Sequence, residues 1–259
     1  MDLEGQVAVI TGAGRGIGRS IALAFASEGA NLVLASRTEQ ALHETRSSIE
    51  GLGREGIVVP TDISRPASVQ NLAERALEHF GRVDVLVNNS GVGGPSSPLW
   101  EIDDEDWERT FTVNVTGTYL CCRAFLPSMI ERRSGSVIII GSMTGKRPLW
   151  GRTPYAASKM ALVGLARTLA LETGPYGVRV NVISPGAVEG ERIEWVFLKQ
   201  AEGRGISLDE VRREFARESP LERLVPPGDV AAAAVFLASS RARSITGEDM
   251  NVSAGLVMY

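Results

Sequence analysis

The chain is short of lysine, histidine and cysteine, and each shortage closes a class of function. Of its 27 basic residues only three are lysines, Lys146, Lys159 and Lys199. The arginines that make up the rest are scattered, and the formal net charge is −4. A nucleic-acid-binding surface would be basic and clustered, so no nucleic-acid partner is expected. The two histidines, His43 and His79, fall in polar helical stretches and read as surface residues. With so few imidazoles, neither a metal site nor a Cys–His nucleophile is expected. The two cysteines, Cys121 and Cys122, are adjacent. Neighbours in one helix do not readily bridge each other, so they read as reduced, partly buried thiols. Long apolar runs are also missing. The longest, Val230–Ala238, has nine residues, against about 20 for a bilayer span. The opening Met1-Asp2-Leu3-Glu4 lacks the basic and apolar segments of a signal peptide. These absences point to a soluble cytoplasmic protein with no membrane partner.

What is there is ordinary in amount and ordered in arrangement. Apolar content of 44% and charged content of 22% over 259 residues suit one globular α/β domain spanning 1–259. Short β-branched runs (Val7–Ile10, Leu32–Leu34, Ile57–Val59, Val83–Val87, Val137–Ile140, Val178–Ile183 and one near Asp249–Val252) alternate with helix-period stretches such as Gly18–Glu28, Glu39–Glu50 and Ser68–Phe80. The long stretch Asp106–Ile130 reads as one helix. Alternation of this kind predicts right-handed βαβ crossovers and a doubly wound, mostly parallel, Rossmann-like sheet of seven strands with helices on both faces. Runs as apolar as Val137-Ile138-Ile139-Ile140 suit strands covered on both sides. In such sheets ligands bind beyond the carboxyl ends of the strands, so the loops there hold the site.

The first of these loops is Thr11-Gly12-Ala13-Gly14-Arg15-Gly16-Ile17-Gly18. Glycines at a strand–turn–helix junction allow close backbone approach to a pyrophosphate, which the helix N-terminus stabilises. Gly12, Arg15, Gly16, Ile17 and Gly18 are the candidate cofactor residues of this loop. The second strand ends in Ala35-Ser36-Arg37, without the carboxylate that would take the ribose hydroxyls of NAD. Arg37, with Ser36 and Arg15 beside it, suits the 2′-phosphate of NADP, and NADP is expected over NAD. Asp62 and Ile63 follow the third strand, where the carboxylate would accept from the adenine amine. Asn88-Asn89-Ser90-Gly91 follows the fourth. Asn side chains there can tie neighbouring loops, and Gly91 lets the chain pass close to the cofactor.

The proton chemistry lies in Tyr155-Ala156-Ala157-Ser158-Lys159. A spacing of four residues puts both functional side chains on one helix face. A free phenol ionises near pH ~10, and a neighbouring ammonium lowers that value. Ser142 at the end of the fifth strand, and Asn114 between two valines, are its candidate partners.

Taken together these motifs resemble the short-chain dehydrogenase/reductase family in its shorter-subunit form, over nearly the whole chain. The matching residues are Thr11-Gly12-x-x-x-Gly16-x-Gly18, Asn88-Asn89-x-Gly91, Asn114, Ser142, Tyr155-x-x-x-Lys159 and Pro185-Gly186. The resemblance implies that Tyr155 is the general acid or base at the reacting oxygen and that Ser142 orients that oxygen. It implies that Lys159 lowers the phenol pKa and binds the nicotinamide ribose, and that Asn114 holds a water linking Lys159 to solvent. Pro185 and Gly186 would line the nicotinamide. The family's Thr after this pair has no counterpart in Ala187–Arg192, which leaves the Val188 backbone to take the carboxamide. The resemblance also implies a homotetramer or homodimer. An NADP-preferring carbonyl reductase is therefore expected. The alternatives are an NAD-dependent alcohol dehydrogenase of the same family, a non-catalytic NADP-binding sensor, and a redox-neutral epimerase or dehydratase.

On the substrate side, 187–223 reads as a lid of two helices. The first is Glu191–Ala201, a break follows at Gly203 and Gly205, and a capping box at Ser207 starts the second. Met143, Trp150, Arg152, Arg192 and Trp195 are candidate pocket residues. Lys146, Arg147, Arg152 and Arg192 together suggest an anionic substrate group, with exposed mobile cations as the plainer reading.

Overall fold

Every residue of strand β1 (Val7–Thr11) is buried, because helices cover both faces of the sheet it belongs to. The alternation along it assigns the two layers. Val7 and Val9 face one core with Leu72, Phe125 and Leu162. Ala8 and Ile10 face the other with Phe25, Leu42 and Val230. Phe25 and Phe125 are both fully buried, each worth about 1.5–3 kcal/mol of apolar burial. In this computed structural model, residues 1–202 and 204–259 are described. Gly203, one of the two glycines expected to part the lid helices, lies outside the described residues.

The remaining strands are β2 (Asn31–Ser36), β3 (Gly56–Pro60), β4 (Val85–Asn88), β5 (Gly135–Ile140), β6 (Val178–Pro185) and β7 (Asp249–Val252). All pair in parallel, in the order β3-β2-β1-β4-β5-β6-β7. This is the Rossmann-like sheet the alternating pattern predicts. The layer over Phe25 holds α1 (Gly16–Ser27), α2 (Glu39–Gly51) and, later in the chain, a helix over Pro227–Ala238. The opposite layer holds α3 (Pro66–Phe80), the stretch from 104 to 131, and a long helix over Thr153–Thr173. Connections run outward from β1 in both directions, so the crevice opens at the carboxyl ends of β1 and β4.

The stretch expected as one helix over Asp106–Ile130 is instead divided. Helix α4 (Asp104–Phe111) passes through a π-helical turn at Thr112–Thr116 into α5 (Gly117–Glu131). A π turn shifts the backbone ladder by one residue and recurs at functional sites. Asn114 lies within it, completely buried.

Helix α6 is Thr153–Thr173. After β6 come α7 (Glu191–Arg204) and α8 (Leu208–Arg217), then α9 (Pro227–Ala238). Gly205, with a left-handed φ of 66°, is the residue that closes α7. Ser207 caps α8 by accepting from the Glu210 amide at 3.2 Å. The α7–α8 pair closes over a small core of its own, in which Phe197 and Phe215 stand 4.9 Å apart between ring centres.

Candidate active site

The glycine-rich loop is held open by its neighbour after β4. The Asn89 side-chain amide donates to the carbonyl oxygens of Thr11 and Gly12, at 2.9 and 3.2 Å. The Thr11 hydroxyl in turn accepts from the Asn89 and Ser90 amides, both at 3.0 Å. This tie leaves no room for side chains on the inner loop: a methyl on Gly12 would stand 2.7 Å from Asn89 Nδ2, and one on Gly18 only 2.2 Å from the Gly12 oxygen. A methyl on Gly16 would meet nothing within 4 Å, so this corner of the loop faces open space ahead of the α1 N-terminus. Close backbone approach with an open outer face is what a nucleotide diphosphate requires. The loop therefore fits the cofactor that its sequence suggests.

Two expectations change here. The Asn pair ties the loops through Asn89, whereas the Asn88 side chain turns into the core and donates to Cys122 Sγ at 3.4 Å. The reason is strand parity: Asn88 is the last residue of β4 and Asn89 lies beyond it, so they point to opposite sides. Cys121 and Cys122 are wholly rather than partly buried, and burial raises both thiols, Cys122 to about 12.

At the end of β2, Ser36 donates to the Thr38 oxygen at 3.2 Å and Arg37 stands exposed. After β3, Asp62 Oδ1 accepts from the Ser64 hydroxyl at 2.6 Å and the Ser64 amide at 3.0 Å. The Ser64 hydroxyl is the chief reason its carboxyl lies below the usual range; burial opposes this, and Arg37 and Arg65 add to it. Ile63 is buried against Gly117, so its side chain belongs to the core. Arg15 is exposed and pairs at 3.6 Å with Glu191 at the start of α7.

Ser142, Tyr155 and Lys159 come together at the carboxyl edge of β5. Helix α6 opens with Thr153 and Pro154, a residue suited to a first turn. Its first turns carry Tyr155 and Lys159 on the face toward the sheet, and Lys159 Nζ lies 5.8 Å from the Tyr155 ring centre. Burial is the largest influence on the phenol and raises its pKa. Lys159, Arg192, a hydrogen bond with Ser142 and Arg152 together outweigh it, and the net displacement is downward. Lys159 is lowered as well, chiefly by burial, with Tyr155 opposing and Arg192 reinforcing. The Lys159 ammonium donates to the Ile140 oxygen at 2.8 Å.

Asn114 reaches the same cluster from the π turn. Its Oδ1 accepts from the Val92 amide at 2.8 Å, and its Nδ2 donates to the Val92 oxygen and to Ser158 Oγ, both at 3.0 Å. A methyl on Gly91 would stand 3.0 Å from Asn114 Oδ1 and 3.5 Å from Lys159 Nζ, so both side chains border one small space. Val92 and Ser158, which no motif singles out, are thus part of the site's frame. Nothing in their identity marks them, since one acts through its backbone.

Across the crevice, Gly186 donates to the Val252 oxygen at 2.9 Å, and β6 ends at Pro185. The Ala187 oxygen and Glu189 amide both pair with Val225, which turns the Val188 amide to the other side. Met143 is buried; Trp150 and Trp195 are 69% and 43% exposed, so this chain encloses neither. The four loop cations separate. Lys146 turns to the sheet edge, its ammonium 2.9 Å from Asp249 and 2.6 Å from Asn251 Oδ1. Arg147 pairs with Glu218 at 3.1 Å. Arg152 and Arg192 converge on Tyr155, their guanidinium carbons 5.0 and 5.7 Å from its ring centre.

Comparison with known proteins agrees with this geometry. Residues 12–257 match the family described as enoyl-(acyl carrier protein) reductase. A short-chain dehydrogenase/reductase of Aspergillus oryzae is 37% identical over 98% of this chain and 95% of its own. The crystal structure of an NAD+-bound xylitol dehydrogenase superposes with a TM-score of 0.95 at 28% identity, covering 98% of this chain and 100% of that one. A variant of actinorhodin polyketide ketoreductase with NADPH gives 0.94 at 32% identity, covering 98% of each chain. With a Rossmann-like sheet and a family match over nearly its whole length, the chain belongs to the short-chain dehydrogenase/reductase family of NAD(P)-dependent oxidoreductases acting on CH–OH and C=O groups.

Proposed function

We propose that the protein is an NADP-preferring carbonyl reductase, with Tyr155 as its general acid and as base in the reverse direction. The observation that carries this reading is the Lys159 ammonium 5.8 Å from the Tyr155 ring centre, with Ser142 among the groups that lower the phenol. A bound nicotinamide cofactor supplies or accepts the hydride. The residues of this chain manage the oxygen. Ser142 and Tyr155 donate to the substrate carbonyl, the charge that develops there is met by preplaced donors, and Tyr155 transfers its proton. Lys159 holds the phenol in a transferable range. Asn114 fixes the Val92 segment and the Ser158 turn of α6, which keeps Tyr155 and Lys159 in register.

Gly12, Gly16, Ile17 and Gly18 would cradle the diphosphate, with the Asp62 carboxylate and the Ile63 backbone at the adenine and the Asn88 backbone, Gly91, Pro185, Gly186 and Val188 along the nicotinamide half. Preference for NADP rests on Arg37 and Ser36 at the end of β2, where no carboxylate stands. Helices α7 and α8, within 187–223 of a single domain, would act as the lid over the substrate. Half-exposed Tyr119 and Met160 and the 80% exposed Leu171 on α5 and α6 support assembly into a homotetramer or homodimer. Among the described residues no helix is long and apolar enough to cross a membrane, and a cytoplasmic location is the proposed one.

The test is a screen of NADPH and NADH oxidation against 3-oxoacyl thioesters, keto sugars, steroids and quinones, with Tyr155→Phe in parallel. Consumption of NADPH that Tyr155→Phe abolishes while still binding cofactor supports the reading. Turnover that is indifferent to Tyr155→Phe, or a conversion without net NADPH oxidation, would overturn it.

A further inference from the structure

Two arginines with no acidic partner among the described residues stand over the proposed proton donor. Arg152, the residue that precedes α6, is only 6% exposed, and its Nη1 is buried without a hydrogen-bond partner. Arg192, from the first turn of α7, is held only by a long contact of 3.4 Å to the Gly91 oxygen. The two reach one spot: a methyl on Gly93 would stand 3.2 Å from Arg152 Nη2 and 3.6 Å from Arg192 Nη2. Neighbouring cations are neutralised, Arg15 by Glu191, Lys146 by Asp249 and Arg147 by Glu218. Among the described residues no carboxylate lies within ion-pairing distance of Arg152 or Arg192. A buried guanidinium without a counter-charge is costly, and a second one beside it raises that cost. A bound anion would relieve that cost, and the planar forks of two arginines match an oxyanion such as a carboxylate or a phosphate.

We propose that the substrate is a short oxo acid, or the hydroxy acid it is reduced to, whose carboxylate is clamped by Arg152 and Arg192 beside Gly93. This rests on the reductase reading above, and it narrows the substrate class. The clamp stands over the same ring that carries the reacting hydroxyl, so carboxylate and carbonyl are separated by few bonds. The carboxylate takes no part in bond-making. The carbonyl carbon gains a hydride from the reduced nicotinamide, its oxygen gains the proton of Tyr155, and the product is the alcohol with its carboxylate intact.

The test pairs 2-oxopropanoate, 3-oxobutanoate and 4-oxopentanoate with their methyl esters. Each is assayed for NADPH and NADH oxidation. Each is also titrated calorimetrically into enzyme loaded with oxidised cofactor, where a ketone binds without reacting. At least one acid is expected to bind and to exceed its ester about 100-fold in kcat/KM, the scale of a desolvated charge pair. Arg192→Gln, at an exposed position, should bring acid and ester kcat/KM together while leaving cofactor Kd within about threefold, any loss common to acid and ester reflecting its part in lowering the Tyr155 phenol; Arg152→Met should act in the same direction. Failure of every acid to bind, or equal losses on acid and ester in Arg192→Gln, overturns the clamp. So does a rise in cofactor Kd, which would assign Arg192 to the cofactor phosphates instead. Esters reduced without preference for acids sink the clamp and leave the reductase standing, whereas cofactor-linked turnover that survives Tyr155→Phe sinks the reductase reading itself.

Discussion

Asn114 and Ser158 meet 3.0 Å apart, a π-helical turn on one side and the first turns of α6 on the other. Through this bond, and two more to Val92, one amide side chain joins the loop after β4 to the helix that carries Tyr155 and Lys159. Asn114→Ala strands the half-buried Val92 amide and carbonyl, which costs up to about 1–3 kcal/mol for an unsatisfied group. The variant is expected to unfold at lower denaturant by this amount. Its kcat should fall more than its cofactor Kd rises. Equal stability with unchanged kcat would refute the framing role.

Tyr155→Phe removes the donated proton and retains the ring. The expected result is a loss of about 10²–10⁴-fold in kcat, with cofactor binding by fluorescence or calorimetry unchanged within about twofold. Residual activity above a tenth of the parent would point to another acid.

The pH dependence follows from the direction of the phenol shift. Reduction needs the neutral phenol and oxidation the phenolate. Because the Tyr155 pKa is displaced downward, reductive kcat/KM should decline with rising pH at some point below the free phenol value of ~10, while oxidative kcat/KM rises over the same interval. Lys159 is the foremost of the groups that lower it. In Lys159→Met both limbs should therefore move to higher pH, a change measurable in paired profiles from pH 6 to 10.5.

Arg37→Asp puts at the end of β2 the kind of carboxylate that binds the ribose hydroxyls of NAD in dinucleotide-binding folds. The ratio of kcat/KM for NADPH over NADH should fall by about 100-fold, the order expected when a charge-assisted hydrogen bond to the 2′-phosphate gives way to a repulsion. A ratio that does not move would place the discrimination elsewhere.

Lys146 serves architecture. It joins the loop after β5 to β7 through Asp249, both side chains nearly enclosed at 10% and 4% exposure. Lys146→Met leaves the Asp249 carboxylate without its cation, and such losses run to about 3–5 kcal/mol. Lower thermal stability with an unchanged substrate KM is expected; a raised KM at full stability would return Lys146 to the pocket.

Much of the site could be read in order along the chain, because strand–loop–helix alternation brings each loop after a strand to one edge of a parallel sheet. That rule alone takes Gly12, Asn89, Ser142 and Pro185 to the same crevice. It does not decide side-chain direction. The adjacent pair Asn88 and Asn89 illustrates this, one turned to Cys122 and the other to Thr11 and Gly12. Nor could spacing foresee the π turn at Thr112–Thr116, since a π turn shifts the ladder by one residue within an otherwise unbroken helical pattern.

Local sequence was enough for the seven parallel strands, the glycine loop and the Tyr155–Lys159 pair, because periodicity and spacing are short-range properties. Long-range packing settled the fate of the cations. Lys146, Arg147, Arg152 and Arg192 look equivalent along the chain. Folding gives Lys146 and Arg147 carboxylate partners, Asp249 and Glu218, and leaves Arg152 and Arg192 facing Tyr155 with none among the described residues. Charge neutralisation depends on which distant segments meet, and only the packed chain brings those segments together.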